Sequence, residues 1–150
     1  MHIIQANENH LAALVPLFDA YRIWYRKSSD KENAHHFLRE RIVKHESVIY
    51  LVQDHSSRKY IGFTQLYPLF SSTRLGRLWL LNDLYVIPEY RGQGVSLQLI
   101  NRAKELARTT NAVGIMLETE KSNKIGNRLY PKTDFELEED MNNYFWSNDC

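Results

Sequence analysis

The sequence predicts a mixed α/β sheet, and three observations carry that prediction. Strand-like runs at Val48–Gln53, Tyr60–Tyr67 and Arg77–Val86 follow one another with no helical pattern between them, as in an antiparallel meander. Helical patterns then alternate with one further strand, a helix near 94–109 preceding Ala112–Glu118 and a short helix at Asn123–Tyr130 following it. A short strand and two consecutive helical patterns come before all of these.

Each element has a local reason. His2–Ala6 is short and partly β-like. Asn7 or Asn9 can cap a first helix that carries Leu11, Leu14, Val15, Phe18, Tyr21, Ile23 and Tyr25. Pro16 lies past its first turn and predicts a kink or a late start. Ser28-Ser29-Asp30 ends that helix and caps a second, near 31–44. The polar turn His55-Ser56-Ser57-Arg58 joins the first two meander strands, Pro68 is expected to end the second, and 69–76 reads as a loop. Val95, Leu97, Leu99, Ile100, Ala103, Leu106 and Ala107 mark the helix at 94–109. Pro131 halts the short helix, and Phe135–Leu137 and Asn143–Trp146 read as closing strands.

Length and composition bound the function. A chain of 150 residues fits a single domain, 1–150. Its net charge of +1 gives no electrostatic case for nucleic acid or an anionic membrane. No run approaches the ~18 apolar residues of a membrane span. The start MHIIQANENH lacks the basic and apolar segments of a signal peptide, so a cytoplasmic location is expected. The single cysteine, Cys150, allows no intrachain disulfide. The six histidines show no HExxH and no Cys/His ligand spacing, so no metal is expected.

The segment Arg91-Gly92-Gln93-Gly94-Val95-Ser96 carries the chemistry. It joins a strand to a helix through a glycine-rich turn. The first N–H groups of a helix lack internal partners and meet the positive end of the helix dipole. Glycines let backbone approach an anion without a Cβ in the way. The stretch therefore reads as a pyrophosphate cradle. An ordinary turn before a helix is the competing explanation.

Those residues resemble the acetyl-CoA motif of the GCN5-related N-acetyltransferase (GNAT) superfamily: Arg or Gln, two residues, Gly, one residue, then Gly or Ala, with Ser96 at the last place. Asn123-Lys124-Ile125-Gly126-Asn127-Arg128-Leu129-Tyr130, followed by Phe135, resembles the family's second signature, with Gly126 where Ala is usual and Asp134 where Gly is usual. The runs Phe18–Tyr25 and Leu81–Val86 are similar to the histone/polyamine acetyltransferase branch. The resemblance implies a mixed, mostly antiparallel sheet of six or seven strands, about four flanking helices and a V-shaped splay between the central strands.

It also implies the chemistry. Acetyl-CoA would donate, coenzyme A would leave, and an acetyl group would pass to a primary amine by direct transfer in a ternary complex. The acceptor would be a polyamine, another small amine or a protein lysine. Main-chain groups of Leu84, Tyr85 and Val86 would pair with the pantetheine arm. Arg91, Gly92, Gln93, Gly94, Val95 and Ser96 would hold the pyrophosphate, and Asn123 would lie beside the coenzyme. Tyr130 would donate a proton to the leaving thiolate and contact the coenzyme; a core aromatic role competes. An alkylamine of pKa ~10.4 arrives protonated, and a carboxylate, directly or through water, could accept that proton. Asp83 is the first candidate and Glu118 the second, each against the alternative of a solvated strand-end carboxylate. Strand alternation puts Asn82, Leu84 and Val86 on one face and Asp83 with Tyr85 on the other.

On the acceptor side, Tyr21, Trp24 and Tyr25, with Asp83, are the candidate substrate-binding residues, since aromatics can line a cation site. Arg22, Arg26 and Lys27 around them weaken that case. The acids Asp134, Glu136, Glu138, Glu139 and Asp140 suit either polyamine attraction or an exposed strand, and Lys124, Arg128 and Lys132 suit either a coenzyme phosphate or a solvated helix face. Tyr144-Phe145-Trp146 is an apolar run whose uncovered edge would pair with another copy, so a homodimer is expected, as the histone/polyamine resemblance also implies; a closing strand packed within its own sheet is the competing reading. A non-catalytic acyl-CoA sensor of the same fold is the alternative. It would bind coenzyme without turnover on any amine.

Overall fold

A computed structural model describes residues 1–148, so Cys150 lies outside the described residues. The chain divides into two compact units, Met1–Glu118 and a smaller one from Thr119 onward.

The first unit is built on a five-stranded sheet in the order β1-β2-β3-β4-β5. The strands are β1 His2–Gln5, β2 Val48–Gln53, β3 Tyr60–Ser71, β4 Gly76–Val86 and β5 Gly114–Met116. The first four pair antiparallel, and β5 runs parallel to β4. Among the described residues five strands form where six or seven were expected. The helices of this unit are α1 Leu11–Trp24, α2 Lys31–Val43 and α3 Val95–Thr109. In α2 the Asp30 carboxylate caps by accepting from the Asn33 N–H at 3.1 Å. Before α1, Asn7 and His10 form a reciprocal capping box over a short 3-10 turn, and α1 then runs through Pro16.

One face of the sheet meets α1 and α2. Leu14, Phe18 and Leu38 pack there against Ile49, Leu51 and Phe63. Tyr50 alternates with Ile49 and Leu51 and so faces the other side, where Arg102 of α3 lies 4.7 Å over its ring. Leu14 and Leu38 are fully shielded. Truncating either to Ala costs about 2–5 kcal/mol.

Three departures from the sequence reading have physical causes. Strand β3 continues through Pro68 to Ser71. Its pairing with β2 stops at Leu66, so beyond that point β3 is an edge where a missing N–H leaves no β2 bond unmade. Strand β5 is only Gly114–Met116, so Glu118 lies beyond its end and is exposed. Third, the β3–β4 register passes from Gln65↔Asp83 to Leu66↔Leu81. Asn82 is thus an extra residue on β4, a bulge that bends the strand and breaks its alternation. Asn82 therefore does not simply share a face with Leu84 and Val86.

The second unit contains α4, Lys124–Leu129, and a 3-10 turn, Pro131–Thr133. Lys132 sits in that turn and does not extend the α4 face of Lys124 and Arg128. Neither 135–137 nor 143–146 is a strand. Both runs favour β structure, but a strand needs a neighbour for its backbone groups. Tyr144, Phe145 and Trp146 are 92%, 93% and 80% exposed. Among the described residues no helix is long and apolar enough to cross a membrane.

Candidate active site

The open edge of β4 and the start of α3 form the first part of the site. Strand β5 pairs with β4 only at Leu78–Leu80. Past the Asn82 bulge β4 runs on to Val86 beside β3 alone, as the expected splay requires. Ile87 donates its N–H to Ile61 O at 2.9 Å, toward β3. Alternation then directs the N–H and C=O groups of Val86 and Leu84 away from β3, onto the edge that no strand pairs, where the Val86 carbonyl already accepts from Arg91 Nε. An extended amide chain can add to such an edge through main-chain hydrogen bonds.

The turn that follows suits a diphosphate. Gly92 and Gly94 have φ of +74° and +78°. That region costs most residues about 1–2 kcal/mol. A Cβ built on either glycine meets nothing within 4 Å, so the space above them is open. The first α3 bond runs from the Gln98 N–H to Gly94 O at 3.2 Å, so the preceding amides are available in the manner of any helix start. These features fit the diphosphate and pantetheine of acetyl-CoA. Val95 is buried and anchors the turn, and Ser96 is half-buried. Gln93 is exposed, and its amide donates to Glu89 O at 3.2 Å.

Arg91 is held by more than the ligand reading foresaw. Its Nε donates to Val86 O at 2.8 Å. Its guanidinium carbon lies 4.8 Å from the Trp24 ring centroid and 5.5 Å from that of Tyr85. The cation over Trp24 is thus the protein's own Arg91. Tyr25 packs edge-on against Tyr21 at 5.0 Å. Tyr85 packs partly buried against the apolar core.

Asp83 is a buried carboxyl in the middle of the unit, 2% exposed, and not a solvated strand end. Gln65 Nε2 donates to its Oδ2 at 2.5 Å and Asn82 Nδ2 to its Oδ1 at 2.9 Å. The Tyr21 hydroxyl donates to Asn82 O at 3.2 Å and lies close enough to Asp83 to lower its pKa. Burial pushes the Asp83 carboxyl above its ordinary 3.8, against the lowering effect of these donors. Burial, and then the Asp83 charge, push the Tyr21 and Tyr67 phenols well up. Gln65 is the residue that sequence reasoning missed. The available signal was an amide, next to Thr64, inside the mostly apolar run Ile61–Leu66.

In the second unit, Asn123 Oδ1 accepts from the Gly126 N–H at 3.0 Å and caps α4. A Cβ on Gly126 would sit 2.6 Å from the Asn123 amide nitrogen, which accounts for Gly in place of Ala. Asp134 has φ of +62°, the conformation for which a glycine is usual and an aspartate is tolerated. Tyr130 is half-buried, and its ring meets Phe135 edge-on at 5.9 Å.

Comparisons with known proteins agree with this geometry. Residues 14–135 match the family model described as the acetyltransferase (GNAT) family. The uncharacterized N-acetyltransferase YhfO of Bacillus subtilis (strain 168) is 41% identical over 136 residues, 91% of this chain and 90% of that protein. A crystal structure of a probable acetyltransferase superposes with a TM-score of 0.93 at 39% identity, covering 100% of this chain and 99% of the other. The thialysine N-epsilon-acetyltransferase of Mus musculus is 45% identical over 42 residues, 28% of this chain and 25% of that protein.

Proposed function

This chain belongs to the acetyltransferase (GNAT) family and is an N-acetyltransferase, and from that premise we propose that it transfers an acetyl group from acetyl-CoA to a primary amine by direct transfer in a ternary complex. The observation that carries the reading is the unpaired β4 edge at Leu84–Val86 leading into the glycine turn and the start of α3. Acetyl-CoA supplies an activated thioester carbonyl. Leu84 and Val86 offer main-chain groups to the pantetheine, Tyr85 supports that edge from the core side, and the amides from Gly92 to Ser96 hold the diphosphate. Asn123 fixes the turn into α4.

Two side chains handle protons. Asp83 accepts one from the incoming ammonium, and its raised pKa brings it closer to the operating pH of a base. Glu118, exposed beyond β5, is the second candidate. Tyr130 donates to the departing sulfur. Tyr21, Trp24 and Tyr25 shape the acceptor side, with Trp24 acting through its contact with Arg91. The acceptor class extends to polyamines, other small amines and protein lysines. The Phe18–Tyr25 and Leu81–Val86 runs and the short thialysine acetyltransferase match support the histone/polyamine side of the family. Residues 1–150 work as one domain, and the exposed Tyr144, Phe145 and Trp146 support a homodimer.

The test is an acetyl-CoA consumption assay across polyamines, aminoglycosides, amino acids and histone peptides. Saturable turnover with at least one primary amine is expected. Tight coenzyme binding with no turnover on any of them would contradict acetyl transfer to amines.

A further inference from the structure

Gln65 is fully shielded from solvent, yet only half of its amide is satisfied. Nε2 donates to Asp83 Oδ2 at 2.5 Å, and Oε1 has no partner. With Asp83 ionised, as the acceptor's ammonium would require, reversing the amide would set its oxygen against a carboxylate oxygen, so Nε2 stays toward Asp83. A fold retains a buried orphan acceptor only for a reason. Asp83 has the complementary deficit. Its donors are Gln65, Asn82 and Tyr21, all neutral, and among the described residues no Lys or Arg pairs with it. Arg41 of α2, the cation felt by neighbouring Tyr67, already pairs with Glu40 at 3.2 Å and Glu46 at 3.5 Å. One buried spot thus holds a carboxylate short of a cation beside a carbonyl short of a donor. An ammonium with two or more N–H bonds supplies both.

We propose that Gln65 is a substrate-binding residue whose Oε1, together with the Asp83 carboxylate, receives the N–H bonds of the acceptor's reacting ammonium. The proposal rests on the acetyl-transfer reading above and adds a residue to it. The ammonium gives one proton to Asp83, which passes it to solvent. The resulting amine nitrogen forms the C–N bond as the C–S bond breaks, and its second departing proton ends on the thiolate sulfur. Tyr21 and Tyr67 are each only partly buried and close enough to feel the Asp83 charge, so the acceptor enters past their phenols. The pair demands N–H bonds in number. An alcohol offers a single hydrogen and a quaternary ammonium offers none. Selection against both follows, since each leaves Gln65 Oε1 or Asp83 unpaired.

The test uses the intact protein saturated with coenzyme A. n-Butylammonium, n-butanol and tetramethylammonium are titrated while the Gln65 side-chain amide is followed by NMR. Only n-butylammonium is expected to shift that signal and saturate. In parallel, Gln65→Met should weaken n-butylammonium binding by calorimetry at least tenfold. It should also raise the amine KM at least tenfold, with the acetyl-CoA KM within twofold of the wild type. Gln65→Glu keeps an acceptor and should restore binding, with its pH profile moved upward because two carboxyls then share the spot. An unshifted Gln65 amide, equal binding by Gln65→Met, or an equal response to n-butanol overturns the proposal. Binding that depends on Gln65 in a protein that acetylates no amine removes the transfer reading and leaves this site standing. Turnover with an amine KM unmoved by Gln65→Met does the reverse.

Discussion

At the scale of single residues, the base proposed at Asp83 would carry opposed effects on stability and on chemistry. Its folded pKa lies above the ordinary 3.8 because burial penalises the charged form. The folded state therefore holds its proton more tightly than the unfolded chain does. Stability from this group is complete below about 3.8 and is lost as pH rises through the folded pKa; the loss persists at neutral pH. Asp83→Asn, which cannot ionise, is expected to melt higher than the wild type at pH 7, with the difference vanishing in acid. The same change should lower kcat/KM with amines by about 10²–10⁴, the range for a general base. Thermal melts from pH 3 to 8 and steady-state kinetics check both halves; a lower melting point at pH 7 would show that hydrogen-bond geometry outweighs burial. Tyr130→Phe tests the acid. The expected result is a fall in kcat of about 10² or more with coenzyme affinity near normal. Unchanged turnover across amines would remove Tyr130 from the proton path.

At the scale of elements, two segments position everything else. Asp19 of α1 ties that helix to the connector before α2, accepting from Ser29 Oγ at 2.6 Å and the Asp30 N–H at 2.8 Å. Burial opposes its ionisation, but these donors outweigh it and hold its pKa below 3.8. Its contribution is present above about 3.8 and lost as pH falls through the lower folded value. Asp19→Ala should cost about 2 kcal/mol near neutral pH, readable by urea unfolding, since it strands donors that faced a charge. In the glycine turn, Gly94→Val forces a β-branched residue to φ of +78° and closes the open space above it. Loss of coenzyme binding is expected at a stability cost of about 1–2 kcal/mol. Retained coenzyme affinity in a folded Gly94→Val protein would contradict the cradle.

Those local devices were legible in the sequence because their causes are local. The Asp30 cap, the apolar β-forming run of β2 and the glycines before α3 each declare themselves within a few residues. The length of β3 did not, because whether Pro68 is tolerated depends on where β2 stops. The bulge at Asn82 is likewise a fact about register between β3 and β4. With it went the buried setting of Asp83 and the significance of Gln65. The aromatic tail misled the strand prediction because β preference says nothing about whether a partner strand is present.

At the scale of the whole molecule, one domain predicts one cooperative calorimetric transition, and coenzyme A should raise its midpoint as a ligand that binds only the folded state does. Two separate transitions would mean that the segments on either side of Thr119 fold independently. A homodimer predicts twice the chain mass of 17.8 kDa by light scattering, and replacing Tyr144, Phe145 and Trp146 with Ser should reduce it to one. The most direct test of the central claim is isothermal titration of coenzyme A into the folded protein. The account predicts saturable binding of one coenzyme per chain, abolished by Gly94→Val and retained by Tyr130→Phe. Absence of any binding, or binding indifferent to Gly94→Val, would contradict it.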